Sequence, residues 1–431
     1  MPTTISLFTG AGGLDLGLHT AGFEARIAIE CDRIAVETLR HPKNAKWWED
    51  CAIVDKPIEA LTSKEILKKA RLRKCEADLL VGGPPCQPFS KSGYWHTGDA
   101  RRLQDPRAQT LREYLRVLEE TLPKVFLLEN VPGLAFSQKD EGLEYLRRSL
   151  EEVNRRSGAN YQISAAQLNA VEYGVPQLRE RVIVIGHREG KTFKFPAPTH
   201  MKPPHVDMAN GSAELPGLPF DFVLQPFTTA WDALAEFIRQ DDEELKPRGK
   251  WADLLPTIPE GHNYLYHTNR GGGAQIFGWR RRYWSMLLKL AKNRPSWTLT
   301  AQPGPAIGPF HWENRRLSAA ELCALQTFPR GYHIVGNVMQ AHKQVGNAVP
   351  SALAEVLGLE IRRQLLGERR VPRKVTLIPA KRDDMPPPEP VAPLPEKYFD
   401  LVDDHADHPG EGKGPGAMRR ARREAGDAAF Q

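Results

Sequence analysis

A cysteine flanked by prolines is the clearest candidate nucleophile in the chain. Cys86 lies in the peptide GGPPCQPFS (residues 82–90), directly after the apolar residues 79–81. Such a run is typical of a buried strand, and in open parallel α/β sheets ligands bind just beyond the carboxyl ends of the strands. The prolines hold Cys86 out of the core, where its thiolate could attack an electrophilic carbon. The alternative, a small buried cysteine, is disfavoured by the surrounding prolines and glycines.

A carboxylate and two arginines follow other segments that resemble strands. Glu129 ends the apolar run 124–128, which places a proton donor at a second strand end, although it could also cap the following turn. Arg179 and Arg181 alternate in the peptide QLRER (residues 177–181). Alternate side chains of an extended segment point the same way, so both arginines are predicted to face the cleft and to bind a carbonyl oxygen or a phosphate. A surface salt bridge with Glu180 is the alternative.

The N-terminal segment predicts a nucleotide-type site. The peptide FTGAGG (residues 8–13) lies between a predicted strand and an apolar helix pattern, where glycines allow close backbone approach and the helix offers free N–H groups. Glu30 ends the next predicted strand, about 20 residues after the glycines, where an acid can bind both ribose hydroxyls. An adenosine ligand is therefore predicted, with a tight turn that binds nothing as the alternative.

These motifs, in this order, resemble the DNA cytosine-5 methyltransferases over most of residues 3–365. The matching peptides are PCQ (85–87), ENV (129–131), QLRER (177–181) and QVGNAVP (344–350). The resemblance implies that Cys86 is the nucleophile, Glu129 the proton donor to the base and Arg181 the group that holds it. It implies S-adenosyl-L-methionine as cofactor, with these contact residues: Phe8, Gly10, Gly12, Glu30, Asp50, Cys51, Pro85 and Asn347.

The same resemblance implies a Rossmann-like α/β methyltransferase domain with a smaller, irregular target recognition domain. The catalytic domain is predicted to comprise residues 1–190 and 330–366, with strands at 3–8, 25–29, 78–83, 124–128, 161–168 and 182–185. Residues 191–329 lack a βαβ rhythm and are predicted to form the recognition domain with its bracing motif. Residues 367–431 are rich in proline, glycine and acidic residues and are predicted to be disordered.

Duplex DNA is the predicted partner, with the target cytosine flipped out of the helix. The recognition segment combines glycines, arginines and aromatic residues, a mixture that suits base edges and phosphates. The residues predicted to contact nucleic acid are Ser92, Arg179, Arg270, Arg280, Arg282 and Thr298. We also expect a monomer that acts beside companion restriction or defence proteins.

Composition is compatible with these expectations. The 431 residues are 41% hydrophobic and 26% charged, with a net charge of +6 that fits a polyanion partner. Residues 381–431 hold 8 Lys/Arg and 11 Asp/Glu, a net charge of −3, so the excess positive charge lies on residues 1–380. An N-terminus without a signal-peptide pattern predicts a cytoplasmic protein without membrane contact. The five cysteines show no zinc-ligand spacing, so no metal is expected.

Other functions share part of this pattern. A tRNA cytosine-5 methyltransferase would use the same catalytic residues, but the resembling members carry a Cys-Phe-Thr tripeptide that is absent here. A nicotinamide-dependent oxidoreductase would explain residues 10–30 but not Cys86 with Glu129. An amino-methylating enzyme would need an acid or Asn before Pro84-Pro85 and an aromatic residue after them. A non-catalytic DNA-binding protein would not need all three catalytic positions.

Overall fold

The structure is a computed structural model, and a seven-stranded sheet forms the centre of the protein. The structure describes residues 1–85, 109–132, 141–201, 224–237, 243–278, 284–301 and 304–403. The strands are β1 (Thr3–Leu7), β2 (Glu24–Glu30), β3 (Ala52–Asp55), β4 (Leu79–Gly82), β5 (Val125–Asn130), β6 (Gln162–Asn169) and β7 (Glu180–His187). They are arranged in the order β3-β2-β1-β4-β5-β7-β6. β7 is antiparallel to both neighbours, and the other pairs are parallel.

Helices connect and cover these strands. They are α1 (Gly13–Thr20), α2 (Arg33–Arg40), α3 (Ser63–Ala70), α4 (Gln109–Thr121), α5 (Glu141–Ser157), α6 (Ala230–Leu234), α7 (Ala319–Leu325), α8 (Val338–Asn347) and α9 (Ser351–Gln364). The chain leaves β1 toward β2 on one side and later adds β4 on the other. Such a reversal opens a crevice at the carboxyl ends of the two strands. The glycine loop after β1 and the residues after β4 both border this crevice.

Alternating strand residues form two hydrophobic cores on opposite faces of the sheet. One face carries Ile5, Leu80 and Phe126 and is covered by apolar residues of α3, α4 and α5. The other carries Val81 and Leu127 and is covered by α1 and α9. Burial on both faces explains why the central strands β4, β5 and β7 contain apolar runs without polar alternation.

A second module, residues 243–310, packs around its own small core. Its helices are short 3-10 turns such as Ala252–Thr257 and Tyr264–His267, and in its described residues pairing is limited to isolated bridges. The core residues are Leu254, Leu255, Ile258, Tyr264, Ile276, Leu287, Phe310 and Tyr398. A further cluster joins α6, α7 and α8 to α1 and α2, so the module is attached to the side of the sheet that carries β2.

The predicted fold class and all six predicted strands are present, with ends shifted by one or two residues. β3 was not predicted. Capping boxes of Thr62 with Glu65 and of Ser318 with Glu321 open α3 and α7. These local signals are reliable because each satisfies backbone donors within one turn.

Two predicted boundaries differ from the structure. Phe193 is buried in the core under α9, so the catalytic domain extends past residue 190. The prediction of a disordered C-terminus is wrong for residues 367–403, which make specific contacts with both modules; Tyr398, for example, is only 4% exposed. Residues 404–431 lie outside the described part of the chain. Among the described helices, none is long and apolar enough to cross a membrane.

Candidate active site

The glycine loop after β1 has the backbone geometry of a ligand cradle. Phe8, Gly10 and Gly12 have positive φ values of 54°, 55° and 83°, a conformation that bends the chain sharply into α1. Gly12 caps α1, and a Cβ there would lie 2.6 Å from the indole of Trp48. A side chain at Gly12 would therefore clash with the buried Trp48, and the loop requires glycine at this position.

Glu30 connects the end of β2 to this loop. Its Oε2 accepts a hydrogen bond from the Gly10 N–H at 2.7 Å, and its Oε1 accepts from the N–H groups of Cys31 and Asp32 at 2.8 and 2.7 Å. Three backbone donors thus fix the carboxylate at the carboxyl end of β2, beside the cradle. The ribose-binding role of Glu30 stays a prediction.

The structure contradicts the placement of Asp50 and Cys51 in this pocket. Both residues precede β3, whose four residues rise by about 3.3 Å each and separate them from the carboxyl edge. The parallel register pairs Glu30 with Asp55 at that edge instead. Asp55 is exposed there and is the acid that sequence reasoning missed. The signal was the short apolar run before Asp55, which mirrors the run before Glu30.

The turn after α8 closes the other side of the cradle. A Cβ on Gly13 would lie 2.5 Å from the carbonyl oxygen of Val349, and Ser351 Oγ donates to the Gly13 carbonyl at 2.8 Å. Asn347 ends α8 immediately before these residues and is exposed. The predicted return of this segment to the cofactor pocket therefore agrees with the packing.

The residues around this crevice fit an adenosine cofactor. They combine a close-approach backbone at Gly10 and Gly12, the N-terminus of α1 and two strand-end carboxylates, Glu30 and Asp55. Carboxylates accept hydrogen bonds from ribose hydroxyls and from an exocyclic amine, and free N–H groups bind a carboxylate. Within the described ranges, no three His, Cys, Asp or Glu side chains group as metal ligands.

Pro84 and Pro85 follow β4 and lead to Cys86, the predicted nucleophile. Asn130 Nδ2 donates to the Pro84 carbonyl at 3.2 Å, and Thr110 Oγ1 donates to the Pro85 carbonyl at 3.0 Å. These bonds fix the backbone up to residue 85 at the carboxyl edge, between β5 and α4. Cys86 and Ser92 lie outside the described residues.

Glu129 and Arg181 meet beside this point. Arg181 Nε lies 2.7 Å from Glu129 Oε1, and the two side chains are 13% and 11% exposed. Glu129 also faces Gly83, where a Cβ would lie 2.7 Å from its Oε2. The structure thus brings together Glu129 and Arg181, two of the three predicted catalytic side chains. They meet beside Gly83, which precedes Cys86 by three residues in the sequence.

The sequence model of the C-5 cytosine-specific DNA methylase family matches residues 2–363. The chain belongs to this family. It is a DNA (cytosine-5-)-methyltransferase that uses S-adenosyl-L-methionine as methyl donor, as its motifs predicted.

Named relatives span most of this methyltransferase. The type II methyltransferase M.SacI of Streptomyces achromogenes is 38% identical over 385 residues, which cover 84% of this chain and 93% of the relative. M.NgoFVII of Neisseria gonorrhoeae is 32% identical over 358 residues, which cover 81% of this chain and 83% of the relative.

Solved structures show the same fold at lower identity. A candidate DNA modification methyltransferase encoded within a prophage (E. coli) has a TM-score of 0.54 at 22% identity and covers 85% of this chain and 100% of its own. The methyltransferase EhMeth of Entamoeba histolytica has a TM-score of 0.54 at 15% identity, and the match covers 85% of this chain and 99% of EhMeth.

The prediction that Arg179 faces the cleft of the methyltransferase is wrong. Arg179 lies just before β7 and is 0% exposed. Its guanidinium donates to the carbonyls of Leu299, Gly346 and Ala348 at 3.2, 2.7 and 2.8 Å. The arginine therefore joins the second module to the turn of Asn347, and it is not presented to DNA.

The other predicted DNA contacts fall in different places. Thr298 is exposed and donates to the Leu178 carbonyl at 2.5 Å, beside the catalytic strand β7. Arg270 is exposed on a loop whose Gly273 N–H donates to the Tyr266 carbonyl at 2.9 Å. Arg280 and Arg282 lie outside the described residues.

Proposed function

We propose that this methyltransferase modifies C5 of a cytosine flipped out of a specific duplex sequence, through a covalent bond between Cys86 and C6. The ion pair of Glu129 with Arg181 carries the proposal. It lies at the carboxyl edge of the sheet, where Pro84 and Pro85 lead into Cys86 and where the cofactor cradle opens. The proposed proton donor and the cofactor cradle thus lie beside Pro85, the residue that precedes Cys86 in the sequence.

The chemistry requires that the aromaticity of the base is broken first, because C5 of cytosine is a poor nucleophile. The Cys86 thiolate attacks C6, and the electron pair of the C5–C6 bond moves toward C5 and the ring. Glu129 donates a proton to N3 as negative charge builds there, and Arg181 binds O2. After C5 has taken the methyl group, a base removes the C5 proton, the Cys86–C6 bond breaks and the N3 proton returns to Glu129, which restores aromaticity, the thiolate and the protonated acid.

The cofactor, when bound, supplies an electrophilic methyl group on a sulfonium. Glu30 would accept hydrogen bonds from the ribose hydroxyls. Asp55, on the neighbouring strand, would accept a hydrogen bond from the adenine amino group. Phe8, Gly10, Gly12, Pro85 and Asn347 would line the remainder of the pocket. These assignments use only residues at the carboxyl edge of the sheet.

Base flipping is needed because C5 and C6 are not accessible in a stacked duplex, and it costs a few kcal/mol. Ser92 and the second module are proposed to hold the gap in the duplex open. The module is also proposed to read the sequence as a target recognition domain, with Arg270, Arg280 and Arg282 at base edges or phosphates and Thr298 beside the catalytic strand.

The biological setting proposed is a restriction–modification or phage-defence system. The named relatives are type II methyltransferases, and the enzyme would mark host DNA as self in the cytoplasm. It would act as a monomer, alongside companion restriction or defence proteins.

Substituting Cys86 tests the mechanism. Cys86→Ser should abolish methyl transfer to DNA while S-adenosyl-L-methionine binding, measured by calorimetry, is retained. A duplex with 5-fluorocytosine at the target should form a covalent adduct with the parent enzyme only, since fluorine cannot leave C5 as the proton does. Substantial turnover by Cys86→Ser would refute the assignment of the nucleophile.

The target itself is accessible by bisulfite sequencing of DNA from a host that expresses the protein. Parallel assays with duplex DNA and with tRNA separate the two substrate classes. Methylation of tRNA without methylation of DNA would overturn the proposed substrate.

A further inference from the structure

The segment after α9 crosses the whole molecule. We call residues 376–403 the C-terminal strap. It begins on the catalytic domain, where Glu355 of α9, 1% exposed, accepts hydrogen bonds from the N–H groups of Thr376 and Leu377 at 2.8 and 2.9 Å. Ile378 then packs over Gly174, where a Cβ would lie 2.7 Å from its Cδ1. The first part of the strap is thus fixed to the catalytic domain.

The strap next binds α6, between the two modules. The buried carboxylate of Asp232 accepts from Lys381 Nζ at 3.0 Å and from the Arg382 N–H at 2.9 Å. Trp231 Nε1 donates to Asp384 Oδ1 at 3.2 Å. These contacts direct the chain toward the second module.

Within the second module, the strap completes the environment of a buried cation. Lys292 is 3% exposed, and its ammonium contacts Glu260 at 2.6 Å, Glu389 at 3.0 Å and the Pro387 carbonyl at 3.1 Å. Two of these three acceptors belong to the strap. An ammonium out of water needs such partners, and their removal leaves an uncompensated charge.

The strap also completes the apolar core of the second module. Tyr398 is 4% exposed among the core residues, stacks on Trp251 with ring centroids 5.8 Å apart, and donates to the Lys250 carbonyl at 3.0 Å. Further along, the Asp403 N–H donates to the Gln275 carbonyl at 3.0 Å. Gln275 follows the glycine loop that carries Arg270, so the strap ends beside that loop.

From this continuous set of contacts we propose that the C-terminal strap positions the second module for DNA. Glu389 and Tyr398 are positioning residues: they complete the module that presents Arg270, while Glu355 anchors the same segment to the catalytic domain. The inference rests on the proposed role of the module in target recognition. Cofactor binding does not require these residues, because the cradle is formed by β1, β2 and the turn after α8.

The test uses Glu389→Ala and Tyr398→Ala in the full chain, with Val391→Ala as matched control. Val391 lies on the same segment and is 44% exposed. Glu389→Ala should raise the KM for a duplex carrying the mapped target by about tenfold, since it leaves Lys292 with fewer partners. It should also lower the ratio of methylation at the target to methylation at single-mismatch sites. The value of kcat at saturating DNA and the affinity for S-adenosyl-L-methionine should match those of the parent and of Val391→Ala.

Glu389→Gln, which keeps the volume and one acceptor oxygen, should restore part of the parent KM. The inference is overturned if KM and the mismatch ratio do not change, or if cofactor affinity falls together with DNA affinity, which would indicate general destabilisation.

Arg270→Ala separates this inference from the proposed function. If Arg270→Ala changes the target profile and the strap variants do not, only the role of the strap is refuted. If neither changes the profile, the recognition role of the module fails, and the inference built on it fails as well.

Discussion

Arg181 and Glu129 form an ion pair across antiparallel strands, with Arg181 Nε 2.7 Å from Glu129 Oε1 at the edge of the catalytic crevice. Both side chains are largely buried, so each charge depends on the other for compensation. The arginine therefore orients the carboxylate in addition to its proposed contact with the base. The two residues should behave as one unit in kinetic experiments.

Glu129→Gln and Arg181→Ala should each slow single-turnover methyl transfer by about 10²-fold or more, the usual range for loss of a positioned proton donor. The double variant should be little slower than the slower single variant, because either change already disables the pair. Affinity for S-adenosyl-L-methionine serves as the control and should stay near the parent value. Rate losses that multiply in the double variant would show that the two side chains act independently.

Asp55 should contribute to cofactor binding, and Asp50 should not. Asp55→Ala is expected to weaken S-adenosyl-L-methionine binding by about 1–3 kcal/mol, the range for leaving a polar partner unpaired. Asp50→Ala, a matched loss of an exposed carboxylate at the other end of β3, should have no effect. Calorimetric titration of both variants decides the matter. Equal effects, or the reverse order, would contradict the register-based assignment.

Arg179→Lys should destabilise the fold. A lysine keeps the charge, but its single ammonium cannot replace a guanidinium that binds three carbonyls in two separate segments. We expect a loss of about 2–4 kcal/mol in the free energy of unfolding, measured with denaturant. Arg33→Lys, at a position that is 86% exposed, is the control.

The salt dependence of DNA binding distinguishes this role from the DNA contact predicted from sequence. Arg179→Gln, which removes the charge that Arg179→Lys keeps, should leave the slope of log affinity against log salt unchanged, because Arg179 is buried and does not reach a phosphate. A flatter slope without loss of stability would restore the original assignment.

Local signals in the sequence predicted the catalytic edge well and the long-range contacts poorly. Glu129, Glu30 and the glycine loop were assigned correctly to the edge because each ends or follows a strand that is itself a clear apolar run. Asp50 was misplaced because β3 has only four residues, and its register against β2 is fixed by tertiary pairing.

Arg179 shows the same limit at a single side chain. Alternation along an extended segment predicts a direction, but the carbonyls that Arg179 binds lie more than 100 residues away in sequence. The defined conformation of residues 376–403 was also not predictable, because a proline-rich composition does not reveal contacts with residues such as Glu355 and Lys292. In each case the missing information is a long-range contact.

Asp15 should make the stability of the protein depend on pH. It lies in the first turn of α1 and is 5% exposed, and within the described ranges its Oδ1 has no hydrogen-bond partner. Burial raises the pKa of Asp15 from 3.8 to about 7, against a smaller opposing effect of a hydrogen bond with Ser6. The thiol of Cys51 and the hydroxyl of Tyr332 also face it.

Because the folded-state pKa of Asp15 is raised, its contribution to stability is complete below the unfolded pKa and is lost as pH rises through about 7. The parent should lose roughly 2–3 kcal/mol of unfolding free energy from this group between about pH 5 and pH 8. Asp15→Asn should lack that part of the pH dependence, as measured by denaturant unfolding across the range. Asp50→Asn is the exposed control, and parallel pH profiles for Asp15→Asn and the parent would contradict the prediction.

Gly13 contacts Val349 and Ser351, and Ser351 lies 338 residues after Gly13 in the sequence. A ribosome that has completed the first 190 residues has already made Cys86 and Glu129, the proposed nucleophile and proton donor, and both arginines of the QLRER peptide. The wall that closes the cofactor crevice is still untranslated at that point. We therefore expect methylation to begin only with a nearly finished polypeptide, and chains that end before residue 349 to be inactive.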